Sequence, residues 1–105
     1  MGYSRAPSKV DGNQTAIVKA LRAIGCSVQS LAAVGDGCPD LLVGRNGSMW
    51  LLEVKNPENR VKSDPRKDLT VEQIRWATEW KGRKVAVVYT VDEAVAAVRV
   101  GGGMS

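Results

Sequence analysis

The chain has 105 residues, a length that suits one domain able to bury roughly two thirds of its unfolded surface without staples. Zero histidines exclude a His-based triad, a His general base, a His-dependent zinc site and HNH-type nuclease chemistry. The formal net charge of +4 favours a polyanionic partner, although such an excess is also ordinary in soluble proteins.

Cys26 and Cys38 lack metal-ligand spacing and read as reduced, partly buried thiols of a cytosolic protein. No apolar stretch is long enough for a bilayer span and no h-region opens the chain, which argues against membrane and export readings. After a flexible end at residues 1–9, Ile17, Ala20, Leu21 and Ile24 recur at helical spacing, and Gly25 stands where a helix stops; this predicts a helix over residues 11–24. A short strand from Cys26 to about Leu31 and a glycine-containing loop through Asp36 should follow. Next comes a hairpin. Leu41, Leu42 and Val43 follow Pro39-Asp40, Asn46-Gly47 supplies the dipeptide of a type I′ turn, and Met49 to Leu52 lead into Glu53-Val54-Lys55, predicting strands over 39–44 and 48–55.

Residues 56–69 carry Arg60, Lys62, Arg66 and Lys67 with Pro57 and Pro65 and almost nothing apolar, and read as a mobile basic loop. A second helix is predicted from Val71 to Lys81, with Thr70 and Gln73 as a capping box and Gly82 as its stop. Trp76 and Trp80, four apart on one side of that helix, read as core or subunit interface ahead of a base-stacking role. Valine-rich Lys84 to Thr90 is a buried strand, and Asp92 to Val98 a final helix with Thr90 and Glu93 as a possible capping box. Residues 100–105 are a frayed, flexible tail, and no internal repeat or second domain is visible. The order αβββαβα predicts an α/β fold: a hairpin meander followed by a right-handed crossover, giving a mixed sheet flanked by helices.

Two short acidic motifs bear the chemistry. Asp40 and Glu53 lie about equally far from the Asn46-Gly47 turn, so antiparallel pairing brings their carboxylates close. Glu53 and Lys55, two apart in a strand, share a face, while Val54 points into the opposite layer. Two carboxylates and an ammonium suit a hard divalent cation such as Mg²⁺, which needs few protein oxygens, accepts backbone carbonyls and lowers the pKa of its water. The implied reaction is phosphodiester hydrolysis, with Lys55 helping to deprotonate or orient the nucleophile. Taken singly, Pro-Asp before a strand is a common turn and Glu-Val-Lys a common solvated edge; their order across one hairpin favours the site. Gln73 reads equally as helix cap and as site residue. The basic loop beside the site, with Arg60, Lys62, Arg66 and Lys67, would grip DNA phosphates, with Arg45, Arg5 and Lys9 as additional contacts.

The runs Gly37-Cys38-Pro39-Asp40-Leu41-Leu42-Val43-Gly44 and Leu51-Leu52-Glu53-Val54-Lys55 resemble the PD-(D/E)XK nuclease signature, and most closely the small stand-alone VRR-NUC type of phages and prophages. The resemblance spans about Asp11 to Val98. It implies a restriction-endonuclease-like αβββαβ core with an extra C-terminal helix, and a Mg²⁺- or Mn²⁺-dependent endodeoxyribonuclease acting in a bacterial host cytoplasm. Asp40, Glu53 and the Val54 carbonyl would hold the metal, Lys55 would act on the attacking water, and Gln73 matches a glutamine of the family. Many relatives carry a Glu on the first helix; here Asn13 or Gln14 stands in that region. Small relatives resemble two-fold junction-resolving enzymes, which implies a homodimer. The missing first-helix acid also admits a degenerate nuclease fold serving as a DNA-binding or scaffold module.

Overall fold

The structure is a computed structural model that describes residues 9–59 and 65–99. Helix α1 (Lys9–Ala23) starts earlier than periodicity predicts, and its end follows the predicted signal. Gly25 adopts φ 96°, its N–H donates to the Arg22 carbonyl, and the Cys26 N–H reaches back to that of Leu21. That pair of bonds is a Schellman stop, which a residue with a Cβ would strain.

Strands β1 (Ser27–Ser30), β2 (Leu41–Arg45), β3 (Ser48–Val54) and β4 (Ala86–Val88) form one sheet in the order β1-β2-β3-β4. The first two pairings are antiparallel and β3 with β4 is parallel, so the sheet is mixed as the element order requires. Asn46 and Gly47, at φ 52° and 83°, close the β2–β3 hairpin, and Arg45 pairs with Ser48 across them. Helix α2 (Val71–Glu79) connects β3 to β4, and α3 (Val91–Ala97) follows β4. The architecture is α/β, a restriction-endonuclease-like core with helices on both faces and a C-terminal helix added.

Alternation along the strands divides the sheet. Leu41, Val43, Leu52, Val54 and Val88 join Ile17 and Leu21 of α1 with Ala94 and Val98 beside α3 in the buried apolar cluster. The opposite face carries Glu53 and Val87 toward α2. Here the expectation that Trp76 and Trp80 are core fails: α2 has no buried residue, and Trp80 is 46% exposed. Helix α2 also stops two residues before Lys81, because the Trp80 backbone turns extended and caps it; Gly82 instead lies against the Trp80 ring. Two short 3₁₀ turns, Pro57–Asn59 and Pro65–Asp68, give form to parts of the segment read as a mobile loop. The expected capping box at α3 is half formed: Thr90 Oγ1 accepts from the Glu93 N–H, but the Glu93 carboxylate accepts from the Tyr89 N–H at 2.8 Å.

Candidate active site

Asp40 precedes the first residue of β2, one step beyond the Leu41–Leu52 pair, which sets it across from Glu53. Two bonds hold its backbone and side chain. Its carbonyl accepts from the Leu31 N–H at 2.8 Å, and its Oδ2 accepts from the Val54 N–H at 2.7 Å. The Lys55 N–H points the other way, to the Val88 carbonyl at 2.9 Å. Because the C=O and following N–H of a peptide point in opposite directions, the Val54 carbonyl is turned toward the Asp40 side.

Glu53 is 4% exposed, which is unusual for an acid. Burial and then the adjacent Asp40 carboxylate push its pKa up to about 8, against the partial opposition of Lys55. Lys55 Nζ lies 3.7 Å from Glu53 Oε2. Gln73 joins the two: its Nε2 donates to Glu53 Oε2 at 3.0 Å and its Oε1 accepts from Lys55 Nζ at 3.0 Å. The same Oε1 accepts from the Thr70 N–H at 2.9 Å while Thr70 Oγ1 accepts from the Gln73 N–H at 3.1 Å, so the capping box is complete. Gln73 therefore completes the helix cap while also bonding Glu53 and Lys55, and the first turn of α2 is keyed to the acid and the lysine.

The loop before Asp40 packs against that same turn. Gly37 has φ 85°, and a Cβ there would fall 2.3 Å from the Glu72 carbonyl oxygen. Only glycine fits both the conformation and the contact.

Among the described residues no group of three or more His, Cys, Asp or Glu side chains is arranged to hold a metal. Two carboxylates and a backbone carbonyl form an all-oxygen donor set of the kind suited to a hard cation that retains water, and such a cation would offset the cost that burial, and then the Asp40 carboxylate, place on the charged form of Glu53. The residues present therefore fit Mg²⁺ or Mn²⁺.

No family model matches the sequence, and a search of curated proteins found no match. Among solved structures, one described as a VRR_NUC domain aligns at TM-score 0.64 with 29% identity, covering 90% of this chain and 99% of the other. The fold is that of a VRR-NUC domain.

Within this VRR-NUC fold, the first-helix residues part company. Asn13 Nδ2 donates to the carbonyls of Lys55 at 3.0 Å and Tyr89 at 3.1 Å, so its amide bridges the ends of β3 and β4. Gln14 lines a separate groove on α1 with Thr15, Val18, Lys19 and Arg22. Arg45 is not brought to the site. It stands five residues from Asp40 along β2, roughly 17 Å at the rise of a strand, and its Nη1 donates to the Val98 carbonyl at 3.5 Å. Lys67 is exposed on the second 3₁₀ turn. Arg60 and Lys62 lie outside the described residues, as do Arg5 and both chain ends at 1–8 and 100–105.

Sequence reasoning missed two neighbours of the site. Cys38 has its thiol pKa raised by burial and then by the Glu53 and Asp40 carboxylates, which places it beside them; adjacency to Pro39-Asp40 was the available signal. Tyr89, 1% exposed, donates its hydroxyl to Asp68 Oδ2 and so ties the second 3₁₀ turn to the end of β4, a long-range contact with no local signature.

Proposed function

We propose that this protein is a PD-(D/E)XK-type endonuclease that hydrolyses DNA phosphodiester bonds with Mg²⁺ or Mn²⁺ held by Asp40, Glu53 and the Val54 carbonyl. The observation that carries the reading is the meeting of Asp40, Glu53 and Lys55 at one sheet end, with Gln73 bridging acid and lysine. When bound, the cation supplies Lewis-acid activation of water and charge neutralisation at the phosphate. Asp40 is fixed for its part by the Val54 N–H, and Glu53 by Gln73. Lys55, restrained through Gln73, orients the attacking water and offsets charge that grows on the phosphate oxygens. Lys67, with Arg60, Lys62 and Arg66, supplies phosphate contacts from the segment that follows Lys55. Two copies related by a two-fold axis would allow paired cuts in a duplex or junction.

Nicking of supercoiled plasmid in Mg²⁺, Mn²⁺ or EDTA tests this reading. The expected result is metal-dependent nicking that falls by about 10²-fold or more in Asp40→Ala, Glu53→Ala and Lys55→Ala, with DNA binding retained. Nicking that persists in EDTA or survives in Asp40→Ala sinks it. One observation favours a second reading, a DNA-binding module without catalysis: Asn13 gives its amide to two backbone carbonyls, where an acid would add charge to the site. A folded, DNA-binding protein that nicks with neither metal would select that alternative.

A further inference from the structure

We propose that a single-stranded segment of nucleic acid runs from Glu53 along a cleft beneath α2 to an aromatic and basic corner made by Trp80, Lys81 and Lys84. The inference rests on the nuclease reading and names the form of its substrate.

Helix α2 sits over the sheet without burying a residue, and a cavity of about 400 Å³ lies beneath it. Glu53 and Gln73 line the cavity, and so does Lys84, while Ile74, Ala77, Val85 and Val87 contribute apolar wall. The strand register gives its direction. Val87 pairs with Glu53, and Lys84 precedes Val87 by three residues, which is about 10 Å at the rise of a strand.

At the far end the side chains suit an unpaired strand. The Trp80 ring is stacked on Trp76 with centroids 4.9 Å apart and planes 16° apart, and Gly82 backs its edge so closely that a Cβ would fall 2.7 Å from Nε1. The indole is thus held in place while almost half of the residue stays exposed. Arg83 braces the corner to β3, donating to the Met49 carbonyl at 3.1 Å and lying over the Trp50 ring. Lys81 and Lys84 are exposed, and among the described residues neither is paired with an acid. A held aromatic face followed in the chain by exposed lysines can take a base on the ring and phosphates on the lysines, irrespective of sequence. The apolar wall of the cleft rewards bases freed from pairing.

Fluorescence anisotropy of a labelled oligothymidylate and of a matched duplex, both in EDTA so that nothing is cleaved, tests the corner. The double variant Lys81→Glu with Lys84→Glu should bind the single strand at least tenfold more weakly and lower the log–log salt slope by about 1.4, two contacts at about 0.7 each. Trp80→Ala should weaken it by roughly five- to 100-fold, with Trp80→Phe restoring most of the loss and the duplex affected less. The lysine variant keeps the test decisive if Trp80→Ala fails to fold, because both lysines are exposed. Folded lysine variants that bind the strand like the parent overturn the proposal. So does a Trp80→Ala protein that dissociates from dimer to monomer with strand binding intact, which would assign the corner to a second copy of the chain. Nicking by the parent beside normal strand binding by the variants overturns this inference alone; impaired strand binding in the variants with no nicking by the parent upholds it and removes the nuclease reading.

Discussion

The two faces of the sheet use alternate residues of the same strands for opposite ends. Against α1 and α3, Leu41, Val43, Leu52, Val54 and Val88 are almost wholly buried among apolar side chains. Against α2, the next residue along from Leu52 is a buried acid, the helix above it buries nothing, and a cavity of about 400 Å³ remains. A face packed this well allows its counterpart to keep a poorly solvated carboxylate and open space, each of which costs stability. The division teaches that in this fold cohesion is gathered on the α1–α3 side, leaving the α2 side free for chemistry.

Truncations on the two faces should therefore differ sharply. Leu52→Ala, at a fully buried position, is expected to cost about 2–5 kcal/mol in urea unfolding, whereas Ile74→Ala, on α2 at the cavity wall and 41% exposed, should cost less than about 1 kcal/mol. Equal costs would break the comparison. A smaller effect sharpens it at the seam between loop and helix. Gly37→Ala combines φ 85° with a clash against the Glu72 carbonyl, while Gly35→Ala has φ 73° and open space around it. Gly35→Ala should cost about 1–2 kcal/mol for the left-handed backbone alone. Gly37→Ala should exceed it and also depress nicking, because the first turn of α2 carries Gln73; matching costs and intact nicking would show that this contact does not key the site.

What could be read from the sequence follows the range of the interactions concerned. The Asn46-Gly47 turn and the alternation around it set the hairpin, and with it the facing of Asp40 and Glu53, because register in a two-residue hairpin is a local property. Gly25 and Thr70 likewise announce a helix stop and a helix start through bonds that span a few residues. The misplacements are long-range. The charge of Arg45 says nothing of its place, and the length of β2 carries it to the opposite end of the strand from Asp40. Trp76 and Trp80 have the spacing of a buried stripe, but periodicity reveals which residues share a side and not whether anything covers that side. Asn13 reaches carbonyls 42 and 76 residues away, a placement that only the packed fold specifies.

The last prediction concerns Glu53 itself and has a definite sign. Its folded pKa of about 8 lies above the ordinary 4.5, so between those values the unfolded chain holds fewer protons than the folded one, and stability falls as pH rises. Glu53→Gln keeps the acceptor for Gln73 but cannot ionise, so it escapes that fall. The variant should match the parent near pH 4.5 and become more stable by on the order of 4 kcal/mol at pH 8, with each kcal/mol worth roughly 4–8 °C in Tm for a domain of this size. Added Mg²⁺ should then raise the Tm of the parent and leave the variant nearly unmoved, since a ligand stabilises only the state that binds it. Thermal melts across pH 4.5–8.5, with and without the cation, provide the check. Parallel curves for the two proteins would mean that Glu53 is ionised and satisfied without a metal, and the α2 face would lose its claim to hold charge at the expense of stability.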